Sequence, residues 1–262
     1  MFTQVEIWDG YDIMLMDDVD DDDGNVRWYN HPWNPKNNVN YTTNQTTLPK
    51  VWSKGWRDGS QHPFHLTVPD LNDDAIVLEF QKAFIEKVLS YSLQYDHALY
   101  QIGNEDWWTA EWTNYWAKFI HRQAEQVGRS VYVARSPLKV ARWQSDSLPN
   151  PDYPGVASVL EFPELYNFAD ISQTGIEHGE SHMRLVRESW EKTQDRPVPL
   201  NSSKQYGADT SHPIHWFGDT DEAIDRFVRS IFGGQAAVRF HRYSWGVRPI
   251  ARLNAVLICS TY

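Results

Sequence analysis

An apolar run, Ala98-Leu99-Tyr100-Gln101-Ile102-Gly103, leads directly into Asn104-Glu105 and then Asp106-Trp107-Trp108. A carboxyl at that point, walled by Trp107 and Trp108, is partly cut off from water. Desolvation penalises the charged form, so Glu105 is expected to titrate above its reference value of about 4.3 and to hold a proton it can donate. The neighbouring Asn104 amide can hydrogen-bond a substrate hydroxyl. Glu105 would serve equally as a charge favoured at a helix N-terminus, so the pair alone leaves both roles open. Arg239 and His241 alternate on a late strand and therefore share a face. Phe240 between them suits an outer face against helices, which turns Arg239 and His241 inward, where they can bind substrate oxygens or orient a carboxylate. Trp245 follows at the strand end and can stack on a flat ligand face or pack in the core.

Other chemistries have weaker support. His62 with His65, and His178 with His182, lack a third ligand at motif spacing, so they read as surface histidines. The acid run Asp17–Asp23 precedes Gly24. Setting Gly24 as the sixth residue of a calcium loop puts Val19 at the first ligand position and no Glu at the twelfth, so a solvated acidic loop is the better reading. No Gly-x-Ser-x-Gly elbow, GxGxxG turn or GxxxxGK[ST] loop occurs. No metal and no cofactor is expected.

The elements that must hold these residues alternate. Thr3–Trp8 is strand-like. Residues 16–73 lack helical period and carry many turn residues, yet Trp28, Tyr29, Trp33, Tyr41, Trp52, Trp56 and Phe64 argue for an ordered loop folded over something. Ile76, Val77, Phe80, Phe84, Val88 and Tyr91 fall at helical spacing behind Asp73 or Asp74 as a cap. After the strand at 98–103, Thr109 caps a second helix with Trp112, Trp116, Phe119, Ile120 and Val127 on one face, stopped by Gly128. Strands follow at 130–134, 169–173, 197–201 and 236–240. Helices are expected at 181–194, at 221–232 (with Ile224, Phe227, Val228 and Ile231 inward) and at 249–258, where Pro249 fits the first turn. Strand then helix, repeated, means parallel α/β architecture. Six strands fit the chain; an eight-unit barrel takes about 250 residues and leaves no room for the 16–73 loop.

The chain has 262 residues, read as one domain spanning 1–262, with 41% hydrophobic and 23% charged residues. That balance excludes wholesale disorder. No apolar run approaches the roughly 18 residues of a membrane helix, and the first residues have no signal-peptide pattern. A soluble protein of unassigned compartment is expected, with no membrane partner. A net charge of -11 repels phosphate backbones and argues against nucleic acid as a partner. The single Cys259 excludes an internal disulfide framework. Thirteen Trp, 13 Tyr and 11 Phe form an unusual aromatic load. It suits either a Trp-heavy core or a cleft whose rings stack on the C–H faces of sugars.

From Val5 to Asn254 the chain resembles the (β/α)8-barrel glycoside hydrolases of the large retaining clan that includes cellulases and mannanases. The resemblance rests on Val5-Glu6-Ile7-Trp8-Asp9, Asn34 to Tyr41, Ile102-Gly103-Asn104-Glu105, Tyr115-Trp116-Ala117, Asp170-Ile171-Ser172-Gln173, Lys204-Gln205-Tyr206-Gly207 and Phe232-Gly233-Gly234 with Arg239-Phe240-His241-Arg242. It implies Glu105 as the acid/base at the end of the clan's fourth strand, Asn104 on the hydroxyl beside the reacting carbon, and a carbohydrate substrate. Two departures matter. The strand matching the clan's seventh, Pro197 to Lys204, carries no nucleophile carboxylate. One strand, not three, precedes Asn104-Glu105. The expected fold is therefore a truncated TIM-type (β/α) barrel of about six parallel strands. Glycoside hydrolysis usually uses two carboxyl groups. Asp9, Asp12, Glu177 and Glu180 lie near strand ends; Asp9 is preferred over Glu6 because it lies nearer the C-terminal end of its strand. A truncated barrel exposes two sheet edges, which a second copy of the chain would cover, so a homodimer or higher oligomer is expected. A non-catalytic carbohydrate-binding or vestigial barrel is the alternative.

Overall fold

A computed structural model describes residues 3–10, 13, 26–52, 62–104, 106, 108–136, 154–172, 179–203 and 220–238. The described strands form two separate three-stranded parallel sheets rather than one closed barrel. The chain divides into two compact units, one of residues 1–150 and 157–167, the other of residues 151–156 and 168–262.

In the first unit the sheet order is β1 (Thr3–Asp9), β2 (Ala98–Asn104), β3 (Tyr132–Ala134). The register runs from Thr3 opposite Ala98 to Asp9 opposite Asn104, so β1 and β2 end together. Tyr100, Gln101, Ile102 and Gly103 are all buried, the continuous burial of a parallel strand covered on both faces. Helix α2 (Ala75–Ser92) buries Val77, Leu78, Ile85 and Leu89 on one face, together with Gln81. Its N-cap is Asp74: Val77 N–H donates to one carboxylate oxygen, and the backbone N–H and hydroxyl of Thr47 donate to the other. The cap thus fastens the preceding loop to the helix. Asp73 takes a positive φ of 49°, which Asp tolerates better than most residues. Helix α3 (Ala110–Gln126) is capped by Thr109, which accepts from Trp112 N–H, and buries Trp112, Trp116, Phe119, Ile120 and Ala124. Gly128, at φ 70°, ends it in the left-handed conformation that glycine allows.

Much of the long segment before α2 is ordered. A short helix α1 (Val26–Asn30) starts its described part, and a 3-10 turn at Pro63–His65 lies near its end. Asn34 is fully buried and acts as an internal brace. Its amide donates to the Trp28 and Lys50 carbonyls at 3.0 and 2.9 Å and accepts from Lys36 N–H. Trp28 Nε1 donates to the Pro49 carbonyl, and the Tyr41 hydroxyl to the Trp33 carbonyl. Side-chain amides thus satisfy backbone groups that a helix or sheet would otherwise pair.

In the second unit β4 (Ala169–Asp170), β5 (Leu200–Ser202) and β6 (Ala237–Val238) pair in that order. β4 and β5 are shorter than the sequence pattern suggests: residues 171–172 lie outside β4, and 197–199 precede β5. Helices α5 (Gly179–Lys192) and α6 (Thr220–Phe232) pack together. An additional helix, α4 (Pro154–Glu161), which no cap or helical spacing in the sequence signals, begins in residues of the second unit and continues in residues of the first. A Cβ at Gly155 would overlap the Asp170 carbonyl, so glycine permits this close approach of the helix start to β4. The face expected to be inward on α6 is corrected. Ile224, Val228 and Ile231 are exposed, while Ala223, Arg226 and Ser230 are buried. The expected final helix at 249–258 and the acid run at 17–23 lie outside the described residues. Among the described residues, no helix is long and apolar enough to cross a membrane.

Candidate active site

The C-terminal ends of β1 and β2 bring two sequence-selected residues together. Asp9 and Asn104 are register partners, and Asn104 Nδ2 approaches Asp9 Oδ1 at 3.4 Å, a long hydrogen bond. Asp9 is exposed and Asn104 half-buried, with its Oδ1 buried. Glu6 is also exposed, but Asp9 is the residue at the strand end that meets Asn104. Glu105, Trp107, Arg239, His241 and Trp245 lie outside the described residues, as do Asp12, Glu177 and His178.

The residues flanking Glu105 in sequence are held firmly. Asp106 is fully buried, its backbone N–H donates to the Ser136 carbonyl, and its carboxylate accepts from Arg135 Nε at 2.9 Å and Nη2 at 2.7 Å. Arg135 Nη2 also donates to the Trp108 carbonyl at 2.6 Å. Burial pushes the Asp106 carboxyl above its ordinary range, and the Arg135 charge and hydrogen bonds pull it part of the way back. One guanidinium thus ties Asp106 to the Trp108 carbonyl. Sequence reasoning missed this pair. The available signal was a charged residue just past each of two apolar strands, Asp106 two residues after β2 and Arg135 directly after β3.

Trp108 is buried, 3% exposed. Its indole stacks on His65 at 4.6 Å and covers Gly103, where a Cβ would overlap the ring. Gly103 therefore lets a tryptophan lie flat on the strand end, and Trp108 acts as a supporting wall rather than an open stacking platform. Trp8 is likewise enclosed by Trp33, Phe64, Phe84, Trp112 and Trp116. Five of the eight described tryptophans (Trp8, Trp28, Trp108, Trp112 and Trp116) are buried, so a large part of the aromatic load is core.

The reading of the histidines as surface groups is corrected: His62 and His65 are buried in this core, and His182 is buried in the second unit. His62 sits edge-on to Trp28 and Trp52 at 4.4 and 4.6 Å, and His31 stacks on Trp28 at 5.5 Å. Burial drives His62 well below its ordinary value, and the neighbouring His65 and His31 add to the shift. Burial alone pushes His31 down to about 4. Among the described residues, no group of three or more His, Cys, Asp or Glu is placed to hold a metal ion.

These shifts predict acid sensitivity. A histidine held neutral in the fold makes no difference to stability well above pH 6.5, where both states are neutral. As pH falls through 6.5 the unfolded chain gains a proton that the folded chain refuses until about pH 4. For His31 the loss reaches about 2 kcal/mol at pH 5. Urea unfolding at pH 7 and pH 5 checks it. His31→Asn keeps an acceptor for Trp33 N–H but does not titrate, so its stability should fall by about 2 kcal/mol less than the wild type's over this range. Equal losses in the two proteins would refute the assignment.

Comparisons with known proteins found no matching family, no matching curated relative and no matching solved structure.

Proposed function

We propose that the chain is a glycoside hydrolase that cleaves O-glycosidic bonds in an oligo- or polysaccharide, with Glu105 as acid/base and Asn104 on a substrate hydroxyl. The observation that carries the reading is the pairing of Asn104 with an exposed carboxylate, Asp9, at adjacent parallel strand ends, directly before Glu105 in sequence. Parallel α/β sheets build ligand sites at this end of their strands. The resemblance to the retaining clan points the same way. In this reading Asp9 is the second carboxylate. Trp107, Arg239, His241 and Trp245 contribute to substrate binding, and Trp108 supports the wall. The reaction requires no cofactor: one carboxyl protonates the leaving oxygen, and the other acts as nucleophile or activates water.

The finer architecture belongs to the same proposal: a truncated (β/α) barrel of about six strands, whose open edges a second copy covers. Light scattering at micromolar concentration should give a homodimer or larger species; a stable monomer would refute this part. A carbohydrate-binding protein without turnover is the second reading, favoured by the absence of a carboxylate in β5, Leu200-Asn201-Ser202. A panel of aryl glycosides and polysaccharides, tested with the wild type and Glu105→Gln, separates the two. Polysaccharide turnover abolished by the substitution supports the enzyme, and sugar binding without turnover in the wild type supports the binder.

A further inference from the structure

Helix α6 is inverted relative to an ordinary surface helix. Its buried face holds Ala223, Arg226 and Ser230, while Ile224, Val228, Ile231 and Phe232 are 42%, 41%, 50% and 82% exposed. At about 100° per residue, these four apolar side chains fall within a sector of roughly 100°, on the side opposite the buried three. An amphipathic helix normally turns its apolar stripe to the core and its charges to water. Here Arg226 lies inside, with Glu222 beside it at 3.4 Å, and the apolar stripe faces outward. Single apolar residues scattered over a surface are ordinary, but four on one helix face form a patch of the kind that marks an interaction surface.

Spacing and charge say what fits the patch. The steps from Ile224 to Val228 and from Val228 to Ile231 follow the alternation that lines an apolar seam between two helices. The exposed acids Asp221 and Asp225 lie in the N-terminal half of α6, and Arg229 lies in its last turn. Asp225 and Arg229 share one flank of the stripe, 3.0 Å apart within the helix. A second α6 laid antiparallel about a two-fold axis near Val228 sets Ile224 against the copy's Ile231 and Phe232, and Val228 against itself. The same rotation lays the charged flank on its own reverse, so Asp225 meets the copy's Arg229 and Arg229 meets the copy's Asp225. Parallel pairing would set Asp225 beside Asp225 and Arg229 beside Arg229. The face is therefore complementary to itself in the antiparallel sense, which is what an isologous contact requires.

We propose that the outward face of α6 is a self-association surface, on which a second copy of this chain docks its own α6 antiparallel. The surface is a helix face rather than a sheet edge, and it is independent of the glycosidase chemistry proposed above. One pair of short helix faces is small for a specific interface, so the dimer should dissociate on dilution. Sedimentation velocity of the full chain should show a monomer–dimer equilibrium in the micromolar range. Val228→Glu sets two like charges face to face at the axis and should raise the dimer Kd about tenfold or more. Phe232→Ser removes the most exposed apolar side chain of the face, at a position where the fold does not depend on it, and should also weaken the dimer. Asp225→Arg should do the same by placing like charges across the axis, and Asp225→Arg/Arg229→Asp should recover the dimer by restoring opposite ones. A wild type that stays monomeric throughout this range would overturn the proposal. So would a dimer that Val228→Glu and Phe232→Ser leave unchanged, an outcome that keeps the homodimer and assigns its contact to the sheet edges. A dimer weakened by Asp225→Arg and not recovered by the charge swap would overturn the antiparallel pairing.

Discussion

Glu105→Gln should lower kcat/KM by about a hundred- to ten-thousand-fold on glycosides with poor leaving groups. On activated aryl glycosides the loss should be about tenfold or less. Gln keeps the size and polarity of the side chain but cannot donate an acidic proton. An alkoxide leaving group needs that proton in the transition state, whereas an activated phenolate departs almost unaided. The contrast between substrates, rather than the loss itself, identifies a general acid, because a merely structural defect lowers every rate alike. The basic limb of the wild-type pH profile should report Glu105 above its ordinary range and vanish in the variant. Equal losses for good and poor leaving groups would remove Glu105 from the role of acid. Asp9→Asn gives a second arm of the same experiment. If Asp9 is the other carboxylate, its loss should be large for both substrate classes, since nucleophile or base chemistry is needed however easily the leaving group departs.

Arg135→Ala should cost about 3–5 kcal/mol of stability, the usual effect of removing one partner from a buried ion pair. Asp106 has no exposed surface, and Arg135 supplies two hydrogen bonds to its carboxylate. Without the guanidinium, a carboxylate already disfavoured by burial loses its countercharge, and the Trp108 carbonyl loses its donor. The double variant Asp106→Asn/Arg135→Met should recover much of the loss, because neither a buried charge nor its unmatched partner remains. Urea unfolding of the wild type, the single variants and the double variant gives the coupling directly. A loss under about 1 kcal/mol for Arg135→Ala would mean the pair behaves as a surface contact. The pair also bears on the proposed chemistry. It fixes Asp106 and Trp108, so Arg135→Ala should reduce glycosidase activity beyond the fraction of protein that has unfolded.

The helices near the candidate site were legible in the sequence to within a residue or two. Asp74 and Thr109 are the caps of α2 and α3, and Gly128 ends α3, because a cap is a local bargain between one side chain and backbone groups three residues away. β1 and β2 were legible because an apolar run bounded by polar residues is a local pattern too. The meeting of Asp9 with Asn104 was not legible there, because it depends on the register in which β1 and β2 pair.

Other features needed the tertiary structure. Helical spacing groups Ile224, Val228 and Ile231 on one side of α6, but it cannot say whether that side meets the sheet; the buried side holds Arg226 instead. The same limit applies to His62. Nothing in its spacing shows that Trp28 lies against its ring, because this contact joins segments on either side of the 53–61 stretch. Asp106 and Arg135 stand 29 residues apart and meet only because β2 and β3 pair in register. Periodicity records which side chains share a face. What covers that face, and what it costs to leave it bare, depends on chain brought in from elsewhere, so burial and the charges it perturbs belong to the assembled fold.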